Sequence, residues 1–422
     1  MLTINEVLAF LNLAVFCVFF TYATRVYIFV LMMSLRRRRR RARAKEEGEA
    51  FVSILIPTYN EANVIDRILR ACVNLDYENY EVVVVDDSTD GTIRRLKKWA
   101  RHPKVKVVHR SNRRGWKGGA LNDGLRHIDP RSKYVLVFDA DFVPPPDVIR
   151  RMLKAFDDET VAAVQGAQWH ILNADEGWVT RGIRVLLSAF YFFEHPARSV
   201  CGGFTQLNGS VMMIRRDVLE AVGGFGESIT EDWELTLKLY EHGYRVVYEA
   251  SVRVPCECPS TLNQAIKQQC RWAEGHTRNF KRYFWRVIRR EDLPMSTKLD
   301  FIIVGTSYLQ AVLSLVSFSL LIVDLLLGVK WPLPDPLAYF LFFYVNIAYP
   351  LSMLYGLRLE GAWHEKKDVL YALLLGYILS PFLAYASLRG LFLSRGYFTR
   401  TYKTGRVTRP VAPWKGGYYH SP

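Results

Sequence analysis

The chain alternates between long apolar runs and short ones. From Val7 to about Leu35 a single apolar run, interrupted by Arg25, is long enough for a membrane helix. Three more lie near the other end, at about 303–329, 337–357 and 369–392, with a polar loop holding Glu365, Lys366 and Lys367 between the last two. Residues 51–295 have a different rhythm. Phe51–Pro57, Glu81–Val85, Val105–His109 and Val135–Phe138 are short apolar runs that read as buried strands. Residues 62–75 follow helical periodicity after a turn at Tyr59-Asn60-Glu61, and the loop Asp86–Thr92 caps a helix from Ile93. Strand, loop and helix recurring with short connections predict an α/β domain with a largely parallel sheet, its ligand groups collected at one edge. Trp178–Phe193 is too short and too mixed to span and reads as interfacial.

Composition adds to this pattern. Half of the 422 residues are hydrophobic and 14% are aromatic, which is high for a soluble protein. The six cysteines are scattered; Cys256 and Cys258 have no second pair to complete a zinc site, and no disulfide framework emerges. The net charge of +15 sits mostly in two places. Residues 36–45 hold eight Arg/Lys, followed by Glu46, Glu47 and Glu49, and residues 389–422 hold seven Arg/Lys and no acid. Both stretches lie beside apolar segments, so the charge points to a cytoplasmic membrane surface and its lipids, not to nucleic acid. Glu6, the absence of positive charge before it and the lack of a small-residue cleavage site favour a retained helix over a signal peptide. The Arg36–Arg41 run then puts the amino terminus outside and the following domain in the cytoplasm of a multi-pass plasma-membrane protein. Four crossings would leave the basic tail outside, where its charge does not belong. Either one segment does not fully span or the charge rule fails here.

The candidate chemistry centres on Val135-Leu136-Val137-Phe138-Asp139-Ala140-Asp141. If the strand persists, Asp139 and Asp141 share a face; if it has turned, they still sit at its carboxyl end, where open α/β sheets bind ligands. Two such carboxylates suit a hard cation, Mg2+ or Mn2+, that also holds a diphosphate; a solvated turn is the alternative. Lys117 before Gly118 and Gly119 could let backbone approach a phosphate with the lysine as counter-charge. No Walker or dinucleotide fingerprint is present. Gln268, Arg271 and Trp272 share a face if helical. Arg271 puts a two-pronged guanidinium on that face, and Trp272 a flat aromatic surface. Arg278, Lys281, Arg282, Arg286, Arg289 and Arg290, interleaved with Phe280, Tyr283, Phe284 and Trp285, make the same helix a membrane-interface element as well.

Taken in order, Ile54–Glu61, Val84–Thr92, Phe138–Asp141, Gln165–Trp169, Leu207–Ser210, Gly223–Phe225, Thr230-Glu231-Asp232 and Gln268-Gln269-Cys270-Arg271-Trp272 resemble a family 2 glycosyltransferase over roughly residues 51–280. The last element resembles the Gln-x-x-Arg-Trp signature of the membrane-bound cellulose, chitin and hyaluronan synthases. The resemblance implies a GT-A-type, Rossmann-like cytosolic domain over 51–260, an interfacial helix over 261–297 and transmembrane helices over 298–395. The amino-terminal helix (1–35), the polybasic linker (36–50) and a basic tail (396–422) complete the division. It also implies roles: Asp232 as general base, although Thr230-Glu231-Asp232 equally opens a helix; Tyr59, Glu61, Asp87, Lys117, Asp139, Gln268 and Arg271 on a nucleotide-sugar donor, usually a UDP-sugar; Glu231 and Trp272 on the acceptor; Asp139 and Asp141 on the metal. Phe398–Gly405 is similar to the loop that covers the nucleotide in related synthases, or is a polybasic lipid contact. The expected activity is an inverting, processive polysaccharide synthase that assists export. Single transfer to a membrane lipid and a non-enzymatic nucleotide-sugar sensor are the rivals.

Overall fold

The computed structural model describes residues 3–35, 50–329, 334–394, 396 and 400–409. The polybasic run 36–49, Phe398 and Thr399 of the tail loop, and residues 410–422 lie outside the described residues.

A long apolar helix, α1 (Ile4–Leu35), precedes the α/β domain. In chain order the first half of the domain holds β1 (Phe51–Thr58), α2 (Ile65–Val73), β2 (Tyr80–Asp86), α3 (Thr92–Trp99), β3 (Val105–His109), α4 (Trp116–Leu125) and β4 (Ser132–Val137). The second half holds α5 (Val148–Leu153), β5 (Val161–His170), α6 (Trp178–Ser188), α7 (His195–Cys201), β6 (Met212–Arg215), α8 (Arg216–Ala221), α9 (Glu231–Glu241), β7 (Arg245–Cys256) and α10 (Leu262–Ile288). The strands form one seven-stranded sheet in the order β3-β2-β1-β4-β6-β5-β7. Only β6 runs antiparallel, against both β4 and β5. Alternation divides the strand side chains between two cores. Ile54, Ile56, Val82 and Val84 pack with residues of α2, α3 and α5, while Leu55, Val83, Val85, Val135 and Val137 pack with α4, α9 and α10. Cover on both faces explains why the strands read as unbroken apolar runs.

β4 stops at Val137, so Asp139 and Asp141 lie in the turn beyond it, not on the strand. The cause is local: the Asp139 N–H donates to Ser210 Oγ at 3.0 Å, which removes it from the ladder. The interfacial segment is likewise longer than expected. α6 runs through a π-helical turn, Ala189–Glu194, into α7.

The expected apolar segment 303–329 is two helices, α11 (Met295–Gly305) and α12 (Leu309–Leu327). Gly305 lies so close to the Phe280 ring that a Cβ there would fall 2.0 Å from it. α13 (Asp335–Glu360), a 3-10 turn (Trp363–Asp368) and α14 (Val369–Phe392) follow. Among the described residues four helices are long and apolar enough to cross a membrane: α1, α12, α13, and α14 with its preceding turn. Arg25, the interruption in α1, donates to Glu194 and Asp300 at 2.9 Å each, so its charge is met by the segments under the domain. Arg184 on α6 is matched in the same way by Glu360 at the end of α13.

Candidate active site

The carboxyl ends of β1, β2 and β4 open into a cleft that brings the predicted residues together. Tyr59, Glu61, Asp87, Lys117, Asp139, Asp141, Glu231, Asp232, Gln268, Arg271 and Trp272 all line it. Three of these come from one face of α10, as the i, i+3, i+4 spacing requires.

Lys117 is the hub. Its ammonium lies 2.8 Å from Asp139 Oδ1 and 3.2 Å from Glu231 Oε1, and donates to the Gly209 carbonyl at 2.6 Å. Burial alone would pull the ammonium down, but the two carboxylates outweigh it and hold it above its ordinary value. Gly209 has φ +80, and a Cβ there would sit 3.2 Å from Lys117 Nζ and 3.3 Å from Asp232 Oδ2, so conformation and space both call for glycine. Gly118 and Gly119 do something other than expected. A Cβ on them would come within 2.1 Å of the Gly226 carbonyl and 2.0 Å of the Arg114 carbonyl, so they admit neighbouring chain.

Asp232 stands in the first turn of α9, beside Glu231. Thr230, not Asp232, occupies the N-cap, and its side chain makes no capping bond. Desolvation in the cleft, then the neighbouring Glu231 carboxylate, push the Asp232 carboxyl up to about 7, against the pull of Lys117 and Arg271. A carboxylate tuned to that value is suited to accept a proton near neutral pH.

Asp141 is buried, and its Oδ2 accepts from the Glu257 N–H at 3.0 Å and from Lys403 Nζ at 2.8 Å. Burial opposes its charge, but Lys403 holds the carboxyl below its ordinary value. Glu61 meets Arg400, with Nε to Oε1 at 3.0 Å, and desolvation still pushes Glu61 up to about 7. Asp87 forms a two-pronged pair with Arg110, both contacts at 2.6 Å. The Arg113 guanidinium lies 3.4 Å over the Tyr59 ring. Gln268 is buried, and its Oε1 has no hydrogen-bond partner among the described residues.

Several cleft residues escaped the sequence reading. Glu257, between the two cysteines that drew attention as a zinc half-site, accepts from Arg67 at 2.6 Å and from the Thr404 and Gly405 N–H groups. Arg67 also donates to the Asp141 carbonyl at 2.9 Å. A charged residue at a strand end was the available signal for Glu257; Arg67 sits in an ordinary amphipathic helix and gave none. Gln168, His170 and Asn208 also line the cleft. The described tail residues 400–409 thread along it: Asn63 Nδ2 donates to the Tyr402 hydroxyl at 2.9 Å, and Arg409 pairs with Asp175 at 2.7 Å.

The model of the glycosyltransferase like family 2 matches residues 49–275, more than half of the chain. The chain belongs to that family. Among curated relatives, the chain is 32% identical over 262 residues to glucomannan 4-beta-mannosyltransferase 1 of Oryza sativa subsp. japonica, a match that covers 60% of this chain and 50% of the relative. It is 30% identical over 250 residues to glucomannan 4-beta-mannosyltransferase 2 of Arabidopsis thaliana, covering 57% of this chain and 47% of the relative. This glycosyltransferase thus spans about half the length of the curated relatives it matches. Its fold is also that of a solved mannosyltransferase from Pyrobaculum calidifontis in complex with GDP-Man and Mn2+, with a TM-score of 0.64 at 22% identity over 93% of this chain and all of the other.

Proposed function

We propose that this glycosyltransferase is an inverting β-mannosyltransferase that moves mannose from GDP-mannose to a growing polysaccharide at the membrane surface. The observation that carries the reading is the pairing, within one cleft, of a carboxyl at about 7, Asp232, with the Asp139–Asp141 pair across the Lys117 hub. The mannosyl donor is suggested by the names of the relatives and by the ligand of the solved neighbour. It replaces the UDP-sugar expected from the family resemblance.

The residues fit a divalent metal. Asp141 already accepts an ammonium, and Asp139 another, so both are seats for positive charge built from hard oxygen donors. Among the described residues no group of three or more His, Cys, Asp or Glu is arranged as a metal cage, which suits an ion bound by one or two carboxylates plus donor phosphates. Mg2+ or Mn2+, when bound, would neutralise charge developing on the leaving diphosphate.

The chain's own groups supply the rest. Asp232 takes the proton of the attacking acceptor hydroxyl as the new bond forms at the anomeric carbon and the electron pair of the old bond leaves with the diphosphate. Arg271, on the same face as Gln268, adds positive charge on the donor side. Trp272, half-buried at the cleft wall, supports an acceptor ring. Tyr59 and Asp87, at the ends of β1 and β2, lie on the nucleotide side, and Glu231 on the acceptor side.

The test is turnover by the purified protein in lipid nanodiscs with Mn2+ and, separately, GDP-mannose, GDP-glucose, UDP-glucose and UDP-N-acetylglucosamine. GDP release with a polymer ladder from GDP-mannose is expected. A single-sugar lipid product would replace the polysaccharide by a glycolipid, and turnover confined to a UDP-sugar would overturn the donor.

A further inference from the structure

Two arginines stand at the nucleotide end of the cleft, and they are not equivalent. Arg110 follows directly on β3. Its Nε and Nη2 donate to the two Asp87 oxygens at 2.6 Å each. Nη1 donates to Asp123 at 3.0 Å and to the Arg114 carbonyl at 3.2 Å, and Nη2 donates again to the Trp116 carbonyl at 3.3 Å. A guanidinium has five N–H donors, so Arg110 has none left for a ligand. Its side chain is 8% exposed. Its work is to hold Asp87 and the loop that leads into α4.

Arg113 is placed for a different task. It lines the cleft with Tyr59 and Asp87, and its side chain is 31% exposed. Its Nε stands 3.9 Å from Asp87 Oδ2, and its guanidinium lies 3.4 Å over the Tyr59 ring, in van der Waals contact. A tight turn fixes the backbone beneath it. The Trp116 N–H donates to the Arg113 carbonyl at 2.9 Å, and Gly115 and Trp116 have φ values of +70 and +47. The side chain is therefore the part that can move. An aromatic ring facing a nucleotide site is a stacking platform for a base, because every base has a π-face. Here a planar guanidinium covers that platform. A base that stacks on Tyr59 has to move Arg113 from the ring face to the base edge.

We propose that Arg113 selects the base of the donor: displaced from Tyr59, it takes guanine by O6 and N7, with Asp87 beside it for the N1 and N2 hydrogens. Guanine carries two adjacent acceptors on that edge, which a guanidinium fork matches in two prongs. Adenine sets a donor beside N7, and uracil offers one acceptor, O4, so neither fills the fork. A carboxylate has about four lone-pair sites, and Asp87 keeps some beyond the two that Arg110 uses. Arg110 thus fixes the acid, and Arg113 supplies the donors. The role rests on the guanine nucleotide proposed above.

Binding to the full chain in lipid nanodiscs with Mn2+, measured by calorimetry, tests it without turnover. The ligands are GDP, UDP and 7-deaza-GDP, in which a C–H replaces N7. The parent protein should bind GDP more tightly than 7-deaza-GDP by about tenfold, the effect of one hydrogen bond to a charged group. Arg113→Met keeps an apolar chain against Tyr59 and removes the fork. It should bind GDP and 7-deaza-GDP alike, and its preference for GDP over UDP should fall by about tenfold or more. Ratios within one protein cancel any general effect of the lost charge on the diphosphate. An unchanged melting profile is expected, since the side chain reaches solvent. A parent that prefers UDP would overturn the donor and this role with it. A parent that prefers GDP but ignores N7, or a variant that still senses N7, would overturn the role of Arg113 alone. Equal loss of GDP and UDP binding in the variant would do the same, leaving Arg113 as a clamp that does not read the base.

Discussion

Lys403 Nζ lies 2.8 Å from Asp141 Oδ2, so the ammonium of a tail residue neutralises a buried carboxylate of the cleft. The two are 262 positions apart in the chain. A metal bound at Asp141 would compete with the Lys403 ammonium for the same oxygen.

Lys403→Ala should leave Asp141 buried without its partner. Loss of one member of a buried ion pair costs about 3–5 kcal/mol, so the melting temperature in chelator should fall. Added Mn2+ should restore most of the loss and bind more tightly than to the parent protein by calorimetry. Asp141→Asn should abolish both the metal effect and transfer. A Lys403→Ala protein whose melting is indifferent to Mn2+ would remove the competition from the account.

Asp232→Asn should keep donor binding but lose transfer by several orders of magnitude, since proton removal and positioning go together. In the parent enzyme kcat/KM should rise with pH to a plateau above about 7, the value to which desolvation and Glu231 push this carboxyl. Stability runs the other way. The native state keeps a proton that the unfolded chain has already released, so Asp232 lowers stability as pH rises toward 7 and its cost is full above that. The melting gain of Asp232→Asn should accordingly be larger at pH 8 than at pH 5. Near-normal turnover in a folded variant would reduce Asp232 to a helix-start residue.

Trp272→Ala separates polymer extension from donor breakdown. In a processive enzyme a growing end must dock after each addition, whereas water needs no platform. Donor hydrolysis should survive better than chain extension. Truncation of a buried aromatic costs at most about 3–5 kcal/mol, and Trp272 is half-buried, so an unchanged melting profile is the required control. Equal loss of hydrolysis and extension in a well-folded variant would remove Trp272 as an acceptor platform.

Glu360→Ala tests the seam between the apolar carboxyl-terminal helices and the domain. Arg184 is 2% exposed and pairs with Glu360, which also accepts from Ser188 and from the Trp169 indole. Removing the acid leaves the buried guanidinium only Glu365, 3.6 Å from its Nε, for a loss of at most about 3–5 kcal/mol. Replacing Arg184 and Glu360 together by Met and Leu should recover much of it, as read from thermal melting in detergent.

The sequence by itself determined the α/β pattern, because strands covered on both faces need apolar residues at every position and leave a visible signature in Val82–Val85 and Val135–Val137. It also determined the short-range chemistry. Asp139 with Asp141, Glu231 with Asp232, and Gln268 with Arg271 and Trp272 are local constellations whose spacing survives any packing. Only the tertiary structure decided what those groups meet. Lys117 joins Asp139 to Glu231 across more than a hundred residues, Lys403 reaches Asp141, and Glu257 gathers Arg67 and the tail, because Coulomb attraction acts through space and leaves no trace in sequence spacing. The same is true of α14. Hydropathy reports that a helix avoids water, but whether protein or lipid covers each face depends on α6 and α10, which the sequence places far away along the chain.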